Sequence, residues 1–165
     1  MKRAPFRWLL HSVIVICAGT LSIIGLAPPS LYALGLGNVI GRPSQPASCH
    51  PTPTDRALLE HTLRMSQPFT VKPLSPWGYL NFILEDDARN PAAGGIEATS
   101  FVAQHYNTQH LKSRRAIAWH LSGAALTIWI TRHWSADEVV CAAVDVLQRS
   151  PAPRLKSSVG GAGPG

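Results

Sequence analysis

What this sequence lacks narrows it first. No run of residues alternates apolar with polar, so half-buried strands are not expected, and no segment recurs at a fixed period, so a stacked-repeat architecture is not expected either. Acidic residues are few, nine in 165, and all of them fall between Gly41 and Ser150, where they meet ten Lys or Arg. Five of the six net positive charges therefore come from the two ends, Lys2, Arg3 and Arg7 at one and Arg154 and Lys156 at the other. With no basic face in the middle, nothing can track a phosphate backbone, and nucleic acid is not an expected partner. The three cysteines form no close pair. His105, His110, His120 and His133 lack the spacing of two ligands on one helical turn, so they read as core or surface histidines and no metal site is expected. Ser122–Gly123 lacks the flanking glycines and the preceding strand of a nucleophile elbow.

Hydrophobic residues make up 45 % of the chain, a globular composition. The longest apolar run, "LLHSVIVICAGTLSIIGLA" from Leu9 to Ala27, reaches about 28 Å as a helix, close to the ~30 Å hydrocarbon core of a bilayer. Three cations and Trp8 precede it, and the next basic residue is Arg42. The positive-inside rule then puts the N-terminus in the cytoplasm and everything after Pro28 outside. Pro28–Pro29 is expected to end the helix. A cleaved signal peptide competes with an anchor here, because Gly25-Leu26-Ala27 has the small-x-small pattern of a cleavage site, although Pro28 is a poor first mature residue. Cys17 lies inside the run without a small residue before it, which argues against lipid attachment. Cys49 and Cys141 would face an oxidising compartment and are a disulfide candidate; the competing reading is a small core residue and a loop thiol.

The rest divides into a Pro-rich linker (31–53), a helical domain (54–149) and a Pro/Gly/Ser tail (150–165) with nothing to bury, expected to be disordered. The expected fold is all-α. "TDRALLEHTLRM" places Leu58, Leu59, Thr62 and Leu63 on one face of a helix from about Asp55 to Ser66. Ser75 as N-cap and Pro76 at the first position open a second helix whose wide apolar face holds Trp77, Leu80, Phe82, Ile83 and Leu84. "IEATSFVAQHYN" forms a third, clustering Ala98, Phe101, Val102 and His105. "AIAWHLSGAALTIWI", 116–130, is the most apolar stretch of this half, but at ~22 Å it is too short for an ordinary span. With His120 and Ser122 near its centre and Arg132 just beyond, it reads as the central buried helix. Ser135 and Glu138 form a capping box that starts the last helix, with Val140, Val144 and Leu147 on its buried face.

The segment "ALTIWITRHWSADEVV", 125–140, resembles a stretch of peptidoglycan glycosyltransferase domains (family 51, as in class A penicillin-binding proteins). "GGIEATSFVAQHYN" from Gly94 is similar to that family's Gly-Gly-Ser-Thr helix opening, matching at Gly94, Gly95 and Thr99. "ILEDDAR" resembles its Glu-Asp motif. The likeness covers roughly residues 80–147 and implies a small lysozyme-like helical domain at the outer face of a bacterial inner membrane. It implies lipid-linked peptidoglycan precursor or cell-wall synthases as partners, and Glu85 as general base. Asp86 and Thr99 would bind substrate, and Lys112, Arg114 and Arg115, close together in sequence, are the candidates to substitute for the family's own cations at the departing diphosphate. No cofactor is implied beyond a divalent metal in an active enzyme. The chain departs from the family where Ile96–Glu97 and Ser100–Phe101 replace its Ser-Thr and paired glutamines. Its Arg-Lys-x-x-Glu falls on Trp119, His120 and Gly123. Two cations and a carboxylate go together, so impaired catalysis is expected. A non-catalytic anchored helical interaction domain is the alternative. Cations at 112–115 also oppose the dipole of the helix that follows, which an anionic ligand would offset and which solvated arginines also tolerate. Trp119, Trp129 and Trp134 are expected in packing, with a sugar platform as the competing role.

Overall fold

The computed structural model describes residues 4–47, 49–63, 69–85, 93–113 and 115–149, with side chains from residue 16 onward except 17, 18, 21, 23, 24 and 85. Among the described residues every regular element is a helix, and the chain is all-α. The helices are α1 (Ala4–Gly37), α2 (Pro53–Thr62), α3 (Pro76–Glu85), α4 (Ala93–His110), α5 (Ala116–His133) and α6 (Ala136–Arg149). Among the described residues no helix is long and apolar enough to cross a membrane. Most side chains of the Leu9–Ala27 run lie outside the described set. So do the 150–165 tail, the stretch around Ser66, Asp86 and Arg114.

The middle of the bundle is α5, packed against α4 on one side and α1 on another, with α3 in the angle between α1 and α5. On the far side α6 packs on α4, and α2 on α6. Leu126 and Ile130 of α5 are fully buried, as are Ala98 and Ala103 of α4 and Val139, Val140 and Ala143 of α6. These residues form one cluster, which the loop residue Val39 and Leu59 of α2 close.

The helix expected to stop at Pro28–Pro29 does not stop there. α1 runs through both prolines to Gly37. A proline interrupts the hydrogen bonds behind it but fits the first turn of whatever follows, since its φ is already helical. Residues 30–37 supply the packing that holds this continuation. Gly35 lies so close to α5 that a Cβ there would sit 2.5 Å from the Leu121 carbonyl oxygen and 2.7 Å from the Ala125 Cβ. The expected 31–53 linker is thus shortened to a strap, 38–52.

The last carbonyls of α1 receive cations from elsewhere in the chain. Lys112 Nζ donates to the Gly37 oxygen at 2.7 Å and Arg42 to the Leu36 oxygen at 3.2 Å. α1 has no basic residue in its own last turn, so these two offset the negative end of its dipole. The strap then pairs with the α4–α5 loop, Ile40 N–H to the His110 oxygen at 2.8 Å and Lys112 N–H to the Asn38 oxygen at 2.9 Å, an isolated antiparallel bridge. Farther on, Cys49 is joined to Cys141 of α6 by a disulfide, Cα atoms 6.3 Å apart and 92 residues apart in sequence.

The helix starts follow local chemistry. Ser135 and Glu138 cap α6 reciprocally, at 2.6 and 3.3 Å. Ser75 Oγ accepts from Gly78 N–H at 2.8 Å, with Pro76 at the first position of α3. α2 begins earlier than Asp55 and ends at Thr62: Thr52 is its N-cap, Pro53 follows, and Asp55 completes a second capping box. The Asp55 carboxylate, accepting from the Thr52 N–H at 2.9 Å and from its hydroxyl at 2.8 Å, is held below the usual carboxylate range.

Candidate groove between the strap and two helices

An open groove of about 780 Å³ lies between the strap, α4 and α6. The strap residues Pro43–Ala47 form one wall, α4 another and α6 the third. The sequence places it there for two reasons. Prolines at 43 and 46 keep the strap extended, so that it crosses α4 and α6 without forming a helix of its own. Its two ends are pinned, at Ile40 by the Tyr106 hydroxyl, 3.1 Å, and at Cys49 by the disulfide. Between them Gln45 Nε2 donates to the His133 carbonyl at the end of α5.

Two polar pairs facing this groove lie along their own helices. Gln109 Nε2 and His105 Nε2 are 2.9 Å apart on α4, and the Arg149 guanidinium meets the Asp145 carboxylate at 2.8 Å on α6, both one turn apart. The Arg149–Asp145 pair is largely exposed, so it contributes little to stability. Trp134 lies in the floor, 6 % exposed, and its Nε1 has no hydrogen-bond partner among the described residues. Asp145 is the one carboxylate among the groove's described lining residues. With it stand the imidazoles of His50 and His105, while the charge of Arg149 is paired with Asp145. The groove offers shape, proline and aromatic surface, and a few exposed polar tips.

Cys49 and Cys141, paired as the sequence allowed, both line this groove, whereas Thr99, Lys112 and Arg115 do not. Thr99 is fully buried and its hydroxyl donates to the Gly95 carbonyl at 2.7 Å, one turn back. Gly95 is tight against the chain before α3, since a Cβ there would overlap the Thr70 carbonyl oxygen. The glycine pair and Thr99 thus serve helix packing. Lys112 is turned to the end of α1 and does not stand at the start of α5 as a receptor for an anion. Arg115 is the N-cap of α5, exposed and without a side-chain capping bond. Glu85 is the last residue of α3, its side chain outside the described set, and Asp86 and Arg114 lie outside it altogether.

Several polar residues that the sequence did not single out hold the helices together. Asn107 is fully buried, its amide donating to the Trp119 carbonyl at 2.8 Å, while its Oδ1 has no partner among the described residues. Asn38 donates to the buried Ser122 hydroxyl at 3.1 Å. Thr127 bonds the Gly123 carbonyl at 2.9 Å and faces Ser100 at 3.3 Å. None of these contacts has a local sequence signal; each joins positions far apart in the chain or answers a carbonyl one turn away.

Two of the histidines stack on an aromatic ring one turn back in their own helix. His110 stacks on Tyr106 at 3.9 Å and His133 on Trp129 at 4.3 Å, each ring also within hydrogen-bond reach of the carbonyl one turn back. Among the described residues no three His, Cys, Asp or Glu side chains come together as metal ligands. No protein-family model, curated protein or solved structure matches the chain.

Proposed function

We propose that the chain is a membrane-anchored, non-catalytic helical domain that presents the groove between strap, α4 and α6 to a protein partner at the outer face of a bacterial inner membrane. The observation that carries this is the employment of the residues a glycosyltransferase would need. Thr99 is sealed in the α4 packing, and Lys112 caps α1 from 75 residues away. What remains open is a proline-walled groove with one carboxylate among its described lining residues. The anchor rests on the Leu9–Ala27 run, the three cations and Trp8 before it, and the positive-inside rule. A disulfide between strap and α6 is consistent with an oxidising compartment.

The lysozyme-like, wall-synthesis reading then depends on Glu85, Asp86 and Arg114 together with Arg115, and it predicts binding of lipid-linked disaccharide. Purified full-length chain is expected neither to polymerise that precursor nor to bind it measurably. Polymerisation that Glu85→Gln abolishes, or binding that neutralising Arg114 and Arg115 weakens, would overturn the non-catalytic proposal. In its favour would be a photo-crosslinker at Gln109 capturing a defined membrane protein that the same group at Gln104, exposed on α4 outside the groove, does not.

A further inference from the structure

On the side of the bundle away from the groove, α3 packs on α1 and α5 and leaves its outer face apolar. Leu84 is 71 % exposed, Ile83 56 % and Trp77 39 %. Neighbouring α1 continues the surface with Leu26, Leu31 and Leu34, all exposed. A cleft of about 160 Å³ runs between the three helices, lined by Leu31 and Tyr32 of α1, Leu80 and Ile83 of α3, and Leu121 and Ile128 of α5. An apolar cavity of roughly 150 Å³ is enough to take a benzene-sized guest, so this cleft suits a short length of hydrocarbon. Large apolar patches of this kind mark contact surfaces.

The geometry says what covers it. α1 is one helix from Ala4 to Gly37, so the distance from the end of its hydrophobic run is fixed by the helical rise. Leu31 stands four residues past Ala27, about 6 Å along the axis. The headgroup region beyond the hydrocarbon core is about 5–8 Å deep on each side. If Leu9–Ala27 spans the bilayer, Leu31, Tyr32 and the mouth of the cleft sit at headgroup depth, and α3, held beside them, sits there too. Its position is fixed at its start: Leu74 donates its N–H to Thr131 Oγ1 at 3.2 Å and accepts from Arg132 Nε at 2.6 Å. Arg132 is exposed, one turn beyond Ile128 on the same face of α5, with its guanidinium 5.8 Å from the Tyr32 ring centre. Arg132 thus sets a cation beside Tyr32, at the end of the cleft nearer Ala27. Trp77, at the start of α3, is the residue type that favours this depth.

We infer that the domain lies on the outer leaflet of the bilayer, with the apolar face of α3 lodged at the lipid interface. The inference rests on the anchored reading above. It also turns the proline-walled groove away from the lipid, because α6 and the strap stand on the other side of α4 and α5.

Full-length chain in phosphatidylglycerol–phosphatidylcholine nanodiscs tests it. In a Cys17→Ser background with the Cys49–Cys141 bridge intact, an environment-sensitive fluorophore is attached at Ile16→Cys, Leu84→Cys or Gln148→Cys. Variants are used only if their thermal transition matches the parent's. At Leu84 a blue-shifted emission is expected, lost to nitroxides on the lipid acyl chains and kept against a water-soluble nickel chelate, with the reverse at Gln148. Leu84 quenched by the chelate while Ile16 is quenched by lipid would overturn the inference and leave the anchor standing. Protection of Leu84 from both quenchers would mean a protein covers α3, which also overturns it. Ile16 open to water would remove the anchor itself, and the inference with it.

Discussion

α3 and α6 look alike in sequence, each short, opened by a serine cap and carrying a broad apolar face, yet they do opposite things with that face. α6 buries Val139, Val140, Ala143, Val144 and Val146. α3 has no buried residue among its described side chains, and its Trp77, Ile83 and Leu84 are exposed. The difference teaches that amphipathicity states only which side of a helix avoids water. What replaces the water is settled by neighbours: for α6 these are α4 and α2, while for α3 they are α1 and α5, which leave Trp77, Ile83 and Leu84 exposed among the described residues.

The comparison breaks most visibly at α6. Val140→Asp places an unpaired charge in a fully buried site and is expected to cost roughly 4 kcal/mol or more, enough to abolish the cooperative thermal transition. Removing the disulfide that ties the strap to α6, by Cys49→Ser with Cys141→Ser, is expected to cost about 2–5 kcal/mol and to lower the denaturant midpoint. An unchanged midpoint on reduction would mean that the strap holds by Tyr106 and Gln45 alone. Thr52→Ala, at the start of the helix packed on α6, is expected to cost about 1 kcal/mol. The same cap gives a pH signature. Because Asp55 is held below its ordinary range, its contribution is present above the unfolded carboxylate pKa and disappears as pH falls through the folded one. Asp55→Asn should flatten that acid limb in a pH titration of stability. Smallest of all, Leu84→Glu on α3 should shift lipid-free stability by no more than about 0.5 kcal/mol. A large loss there would show that α3's open face is in fact a packing surface.

Much of the local structure was legible because its causes are local. Ser135 with Glu138, and Ser75 with Pro76, mark helix starts through bonds that close within four residues. Thr52-Pro53-Thr54-Asp55 carries the same signal, and the proline-rich composition around it hid the capping box. Pro28–Pro29 misled for the opposite reason: the rule that proline ends a helix describes an isolated chain, and the tight crossing at Gly35 overrides it. The candidate site was least legible. Thr99 and Lys112 are of residue types that bind substrates, but their actual partners, the Gly95 carbonyl and the end of α1, become visible only when the helices are placed. The cysteine pairing was open in sequence because the 6.3 Å separation of Cys49 and Cys141 is a tertiary distance.

The order of apolar and polar residues was sufficient by itself to make this chain helical, to place its later helix starts and to keep 116–133 inside a bundle, since each depends on contacts within a turn or two. Only the tertiary structure decided which cations cap which helix, where a groove opens and which apolar face stays exposed among the described residues. Those outcomes depend on groups tens of residues apart being brought within a few ångströms, and no local pattern of residues encodes that.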